Sequence, residues 1–138
     1  MAVKAFTCTV CPIGCEITVI VEEGKIVDVK GFGCTRGKDY AVREVLDPRR
    51  ILVTVIRCRN GRLPTVSVKT DKPIPKGKTW EIMRILSGIM VEAPISMGQV
   101  IVRDVADSGA DIVATRPNPK SDENSDQPHP IRIRSFRR

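Results

Sequence analysis

Four of the five cysteines of this 138-residue chain fall in its first quarter. Cys8, Cys11 and Cys15 form a C-x2-C-x3-C run, and Cys34 follows nineteen positions later. Three thiolates within eight residues can wrap one side of a compact inorganic cluster, and a fourth from a more distant point can close it. The pattern points to a [4Fe–4S] cube held by Cys8, Cys11, Cys15 and Cys34. Zinc is the second reading. Its structural sites more often draw on two knuckles that each give a pair of ligands, and Cys34 has no cysteine neighbour. An odd cysteine count, concentrated at one end, does not describe a disulfide framework.

The residues between the cysteines suit a cluster. Pro12 and Gly14 lie where the chain must bend tightly and bring backbone N–H groups toward sulfur, and such contacts raise the reduction potential. Gly31, Gly33 and Gly37 flank Cys34 and permit close backbone approach. Arg36 can offset the negative charge of four thiolates, or simply stand exposed in the first turn of a helix. Cys58 sits in a β-branched run near a turn and reads as an inert buried thiol rather than a redox group.

Other chemistries find little support. His129 has no companion histidine and reads as solvated. There is no phosphate-cradling glycine loop and no H-E-x-x-H pair. Asp104, Asp107 and Asp111 read as solvated or capping acids rather than a general acid and base. The net charge of +7 is concentrated at the C-terminus, where Arg132, Arg134, Arg137 and Arg138 occupy four of the last seven positions. The remaining excess, about three, is ordinary for a soluble domain, and no stretch interleaves cations with stacking aromatics, so nucleic acid is a weak expectation. The first residues lack the apolar core of a secretory signal, and the longest apolar run, 51–56, is too short to cross a bilayer. A cytosolic protein without membrane insertion is expected.

Three Phe, one Trp and one Tyr leave the core to Val and Ile, which favour strands. The expected fold is α+β and β-rich: an N-terminal iron–sulfur hairpin subdomain packed on a small sheet with one main helix. Residues 3–7 read as a strand leading into the cysteines, and 16–22 with 25–30 as a hairpin turning at Glu23-Gly24. Ala41, Val42, Val45 and Leu46 form a helical stripe, so 36–46 should be a helix stopped by Asp47-Pro48. Residues 51–58 and 65–69 read as a second hairpin turning at Asn60-Gly61, which sets Cys58 opposite Leu63. Ile82, Ile85, Leu86, Ile89 and Met90 keep helical spacing, with Trp80 and Met83 beside the stripe, Thr79 as N-cap and Glu81 at the positive end of the dipole. Residues 99–103 and 111–114 read as short strands. The domains implied are 1–50, the four-cysteine subdomain; 51–116, an α+β scaffold and docking unit; and 117–138, a disordered basic tail. The alternating Ile131-Arg132-Ile133-Arg134 stretch reads mainly as a loose terminus.

The residues Cys8-Thr-Val-Cys11-Pro-Ile-Gly-Cys15, Glu22-Glu23-Gly24-Lys25-Ile26-Val27 and Cys34-Thr35-Arg36-Gly37 resemble the N-terminal iron–sulfur domain of molybdopterin oxidoreductases. The likeness spans about the first 50 residues. It implies a [4Fe–4S] cluster on the four cysteines and a cation at Arg36, a position that is usually lysine in that family. The shorter stretch before Cys34 departs from it, and molybdenum chemistry is not expected here. Including Leu63 to Gly77 and Gly109 to Arg116, the chain also resembles a small uncharacterised family with CxxC pairs. Its members often accompany a flavin-dependent glycerol-3-phosphate dehydrogenase and a second flavoprotein in anaerobes. That resemblance implies an iron–sulfur electron-transfer subunit or accessory protein, not itself a catalyst, with a flavoprotein dehydrogenase and a redox acceptor protein as partners. A structural zinc-binding assembly or regulatory module is the alternative.

Overall fold

The computed structural model describes residues 1–121. It is α+β with strands dominant, as the residue pattern implies. The N-terminal unit is a three-stranded antiparallel sheet in the order β1 (Ala2–Thr7), β2 (Glu16–Glu22), β3 (Lys25–Lys30). Along β2, Ile17 and Val19 are fully buried on one face. They meet Ala41 of helix α1 (Thr35–Leu46), with Phe6, Tyr40 and Val45 around them. The β2–β3 turn falls at Glu23-Gly24, where both residues have positive φ, 49° and 78°. This is the mirror-image turn whose twist matches that of the two strands it joins.

The second unit is a five-stranded sheet in the order β8, β5, β6, β10, β9. Its strands are β5 (Val53–Arg59), β6 (Thr65–Thr70), β8 (Met90–Glu92), β9 (Val100–Val102) and β10 (Ile112–Ala114). All pairings are antiparallel except β5 with β8. Helix α2 (Thr79–Ser87) sets Ile82 and Leu86 on the face made by Ile56, Val66, Val68, Ile112 and Ala114. A two-residue pair, β4 (Arg49–Arg50) with β7 (Ile74–Pro75), links the end of α1 to the second unit. Beside it Arg50 grips Glu44 of α1 through both carboxylate oxygens, at 2.9 and 2.5 Å.

Four expectations need correction. The β5–β6 hairpin does not close on two residues. Arg57 faces Thr65, and the Cys58 N–H donates to the Pro64 carbonyl at 2.8 Å, so Cys58 does not oppose Leu63. The wider loop is held open from inside by Asn118. Its Oδ1 accepts the Leu63 N–H at 3.1 Å and its Nδ2 donates to the Leu63 carbonyl at 2.9 Å. Gly61 is glycine because any Cβ there would collide with the Asn118 amide.

Thr79 is not the cap of α2 but its first helical residue. A short 3-10 turn, Lys76–Lys78, runs directly into the helix, and no side chain caps it. The Lys78 ammonium reaches away to the carbonyls of Ala106 and Asp107. The apolar stripe continues past Gly88, but the helix stops at Ser87: Met90 opens β8, while Ile89 still packs on the core. Trp80 is largely exposed.

Order also extends beyond Arg116. Asn118 exchanges both backbone bonds with Ile95 at 2.9 Å, Pro119 accepts from Arg62, and Ser121 donates to Asn60. Asn118 is 1% exposed, and its amide is paired as a buried polar group must be. Residues 117–121 of the expected tail are therefore ordered; the rest of it, with the Ile131–Phe136 alternation and His129, lies outside the described residues.

Candidate iron–sulfur site

Strand direction gathers the cysteines. In an antiparallel sheet the end of β1, the start of β2 and the end of β3 share one edge. Cys8 follows β1, Cys15 precedes β2, and Cys34 follows β3 at the start of α1. The loop carrying Cys8, Cys11 and Cys15 is pinched at its base by the Cys8 N–H, which donates to the Cys15 carbonyl at 2.8 Å. Cys11 rides the bend of that loop, half-buried.

Two of the sulfurs lie beside glycines, one of them tightly. A Cβ on Gly37 would stand 3.6 Å from the Cys8 Sγ, and one on Gly33 only 3.1 Å from the Cys15 Sγ. Cys8 is 5% exposed and lies against Ile17 and Ala41, while Cys34 is open to solvent. Cys34 caps α1 with an extended backbone, and its carbonyl accepts from the Gly37 and Lys38 amides at 3.1 and 3.2 Å. Its side chain makes no capping hydrogen bond. The thiol is nonetheless held below the ordinary range, foremost by the Gly37 N–H; desolvation opposes this, and the amide, charge and side chain of Arg36 reinforce it. The first turn of α1 carries no acid, so the positive end of its dipole faces the sulfurs unopposed.

Among the described residues no three His, Cys, Asp or Glu side chains stand together as ligands of one ion. A cubane differs in taking one thiolate on each of its irons, which spreads its four sulfurs over a wider frame. The donor chemistry fits such a group: four thiols at one pole, two sulfurs against residues without Cβ, a positive helix end and an arginine. Cys58 is elsewhere, half-buried on β5 at the second core, with its Sγ 3.7 Å from the Arg59 carbonyl. Asp104 and Asp111 brace the loop between β9 and β10: Asp104 accepts the Gly109 N–H and Asp111 the Asp104 N–H, each at 2.8 Å.

A surface groove beside the pole was not evident from sequence. Val10 of the cysteine loop, with Arg36, Asp39, Tyr40 and Arg43 of α1, lines a cavity of about 260 Å³. The spacing of 36, 40 and 43 along one helical face was the available signal; that Val10 joins it depends on how the loop folds back.

Among curated proteins none matches this sequence. A solved structure does: the Clostridium perfringens protein CPE0013, determined by NMR, is similar over 59% of this chain and 96% of its own, with 28% identity and a TM-score of 0.50. A family model matches residues 35–116, from the first residue of α1 to just past β10. All four cysteines of the pole precede that match. Since the match spans more than half of the sequence, the chain belongs to the family described as Protein of unknown function (DUF1667).

Proposed function

We propose that this protein is an iron–sulfur electron-transfer subunit or accessory protein, holding a [4Fe–4S] cluster on Cys8, Cys11, Cys15 and Cys34. The observation that carries the reading is the convergence of the four cysteine positions on one edge of the N-terminal sheet, at the positive end of α1. When bound, such a cluster takes up and gives back one electron at a time. The chain's own groups tune that exchange. The Gly37 amide, the helix end and Arg36 favour negative charge on sulfur, which raises the potential. Ile17 and Ala41 back the Cys8 side and keep water from it.

The N-terminal likeness to the iron–sulfur domain of molybdopterin oxidoreductases supports the same ligand set. The likeness of the whole chain to proteins found beside flavin-dependent glycerol-3-phosphate dehydrogenases supports the partner: a flavoprotein that delivers two electrons, with a one-electron acceptor beyond. In this reading the chain is not the catalyst.

Metal and sulfide analysis with electron paramagnetic resonance, on protein made and purified without oxygen and then reduced, tests the proposal. About four irons and four sulfides per chain, with a signal on reduction, are expected; one tight zinc and no iron would overturn it in favour of a structural module. With the flavoprotein partner in hand, Cys34→Ser should abolish onward transfer while substrate still reduces the flavin.

A further inference from the structure

The surface around the thiol pole is neither a covered core nor an ordinary polar surface. Ile13 and Val10 of the cysteine loop are 81% and 40% exposed, and Phe32, which precedes Cys34, is 38% exposed. Phe32 lies at the first turn of α1, with the Lys38 ammonium 5.6 Å above its ring. Arg36 and Arg43 line the groove with Val10 on another flank of α1, since Arg36 and Lys38 stand about 200° apart around the helix. Neither arginine makes an ion pair among the described residues, whereas Arg49 and Arg50 further along are engaged by Asp47 and Glu44. Among the described residues, the one carboxylate lining the groove with these two arginines is Asp39.

We infer that this pole is the docking surface for a partner protein whose contact patch has an apolar centre and a rim of Asp and Glu. The inference deepens the electron-carrier reading and rests on it for the partner's role. An apolar surface flanked mostly by cations suits a transient protein interface, in which the charges steer encounter and the apolar part excludes water. Cations without an ion pair among the described residues favour carboxylates, and exposed aliphatic side chains favour a protein over a nucleic acid backbone. The site also fits the task, because an electron must enter or leave near the sulfurs. Docking at residues 51–116 would present a different part of the chain. On that unit the exposed face of β5 and β6 mixes Val53 and Val55 with Arg57 and Lys69.

Carbodiimide-preactivated poly-L-glutamate, added to full-length protein purified without oxygen, tests the surface without using the cluster. Linked lysines are mapped by mass spectrometry. Links at Lys38 are expected to exceed those at Lys69 and at Lys120, which neighbours the basic tail in sequence, by about five-fold. The preference should vanish at about 0.5 M salt and in the Arg36→Glu/Arg43→Glu double variant, both changes being on the surface. Even labelling of the lysines, a preference for Lys120, or a preference that survives the charge reversal would overturn the inference. So would displacement of the polymer by a single-stranded oligonucleotide that binds the same lysine more tightly. Iron and sulfide measured on the same preparation judge the carrier reading separately. Iron-loaded protein with even labelling removes the docking surface alone, and iron-free protein with a Lys38 preference removes the carrier reading alone.

Discussion

Cys34 is the most exposed of the four thiols, and the one whose acidity is raised by its surroundings. A lowered pKa populates the thiolate at lower pH. In metal-free protein, alkylation of Cys34 by iodoacetamide should therefore reach half its maximal rate at a lower pH than an unstructured cysteine does. Arg36→Gln should move that midpoint upward only in part, because the Gly37 amide remains the leading influence. Peptide mapping of the alkylated site across a pH series reads this directly. Asn118 makes the opposite kind of contribution, purely structural. Asn118→Ala strips the Leu63 N–H and carbonyl of their partners inside the hairpin loop, and should cost about 2 kcal/mol in a denaturant unfolding experiment. The two residues differ equally in legibility. Cysteine spacing is a local pattern, and C-x2-C-x3-C announces its chemistry wherever the loop goes. Asn118 sits among prolines and polar residues that look like a linker, and only the three-dimensional neighbourhood of Leu63 and Gly61 gives it a task.

At the level of elements, strong periodicity translated well. The β2–β3 hairpin and its Glu23-Gly24 turn, the helix ending before Pro48, and the β5 and β6 strands all follow from local spacing and turn chemistry. Of the short elements, β9 and β10 were legible and others were not. The strands β4, β7 and β8 span two or three residues each, too few to show a period, and they exist because distant segments offer hydrogen bonds to them. The hairpin register was misjudged for the same reason: a third segment fills the loop. Tertiary context also creates the bidentate pair of Arg50 with Glu44, which braces α1 beside the β4–β7 link. The Arg50 hydrogen bond foremost, and its charge and that of Lys76 after it, lower the Glu44 pKa against a desolvation that would raise it. A lowered carboxyl pKa adds stability that is fully present above its unfolded value of 4.5 and is lost as pH falls through the folded value. Glu44→Gln should cost about 1 kcal/mol at neutral pH, a modest figure because Arg50 is partly exposed to solvent. It should also flatten the loss of stability below about pH 4.5, a difference that unfolding midpoints at pH 7 and pH 4 would show.

Taken whole, the molecule separates its two sets of buried sulfur. Cys8 and Cys15 belong to the core of the N-terminal unit, and Cys58 to the edge of the other. Cys58→Ser should leave iron and sulfide content unchanged, whereas Cys8→Ser, Cys11→Ser, Cys15→Ser or Cys34→Ser should each lower it; anaerobic metal analysis of the five variants tests the division. The same separation appears in the family relationship. The matched region begins at α1, so that helix has two neighbourhoods, its first turn at the thiol pole and its last at the link to the second unit. The difference in exposure at the pole has a chemical sequel. An oxidant arriving from solvent meets Cys34 before it can reach Cys8 behind the helix, so damage in air should follow an order, with sulfinic and sulfonic acid accumulating first at Cys34. The pole thus has a weakest corner, and the age of a preparation can be read from it.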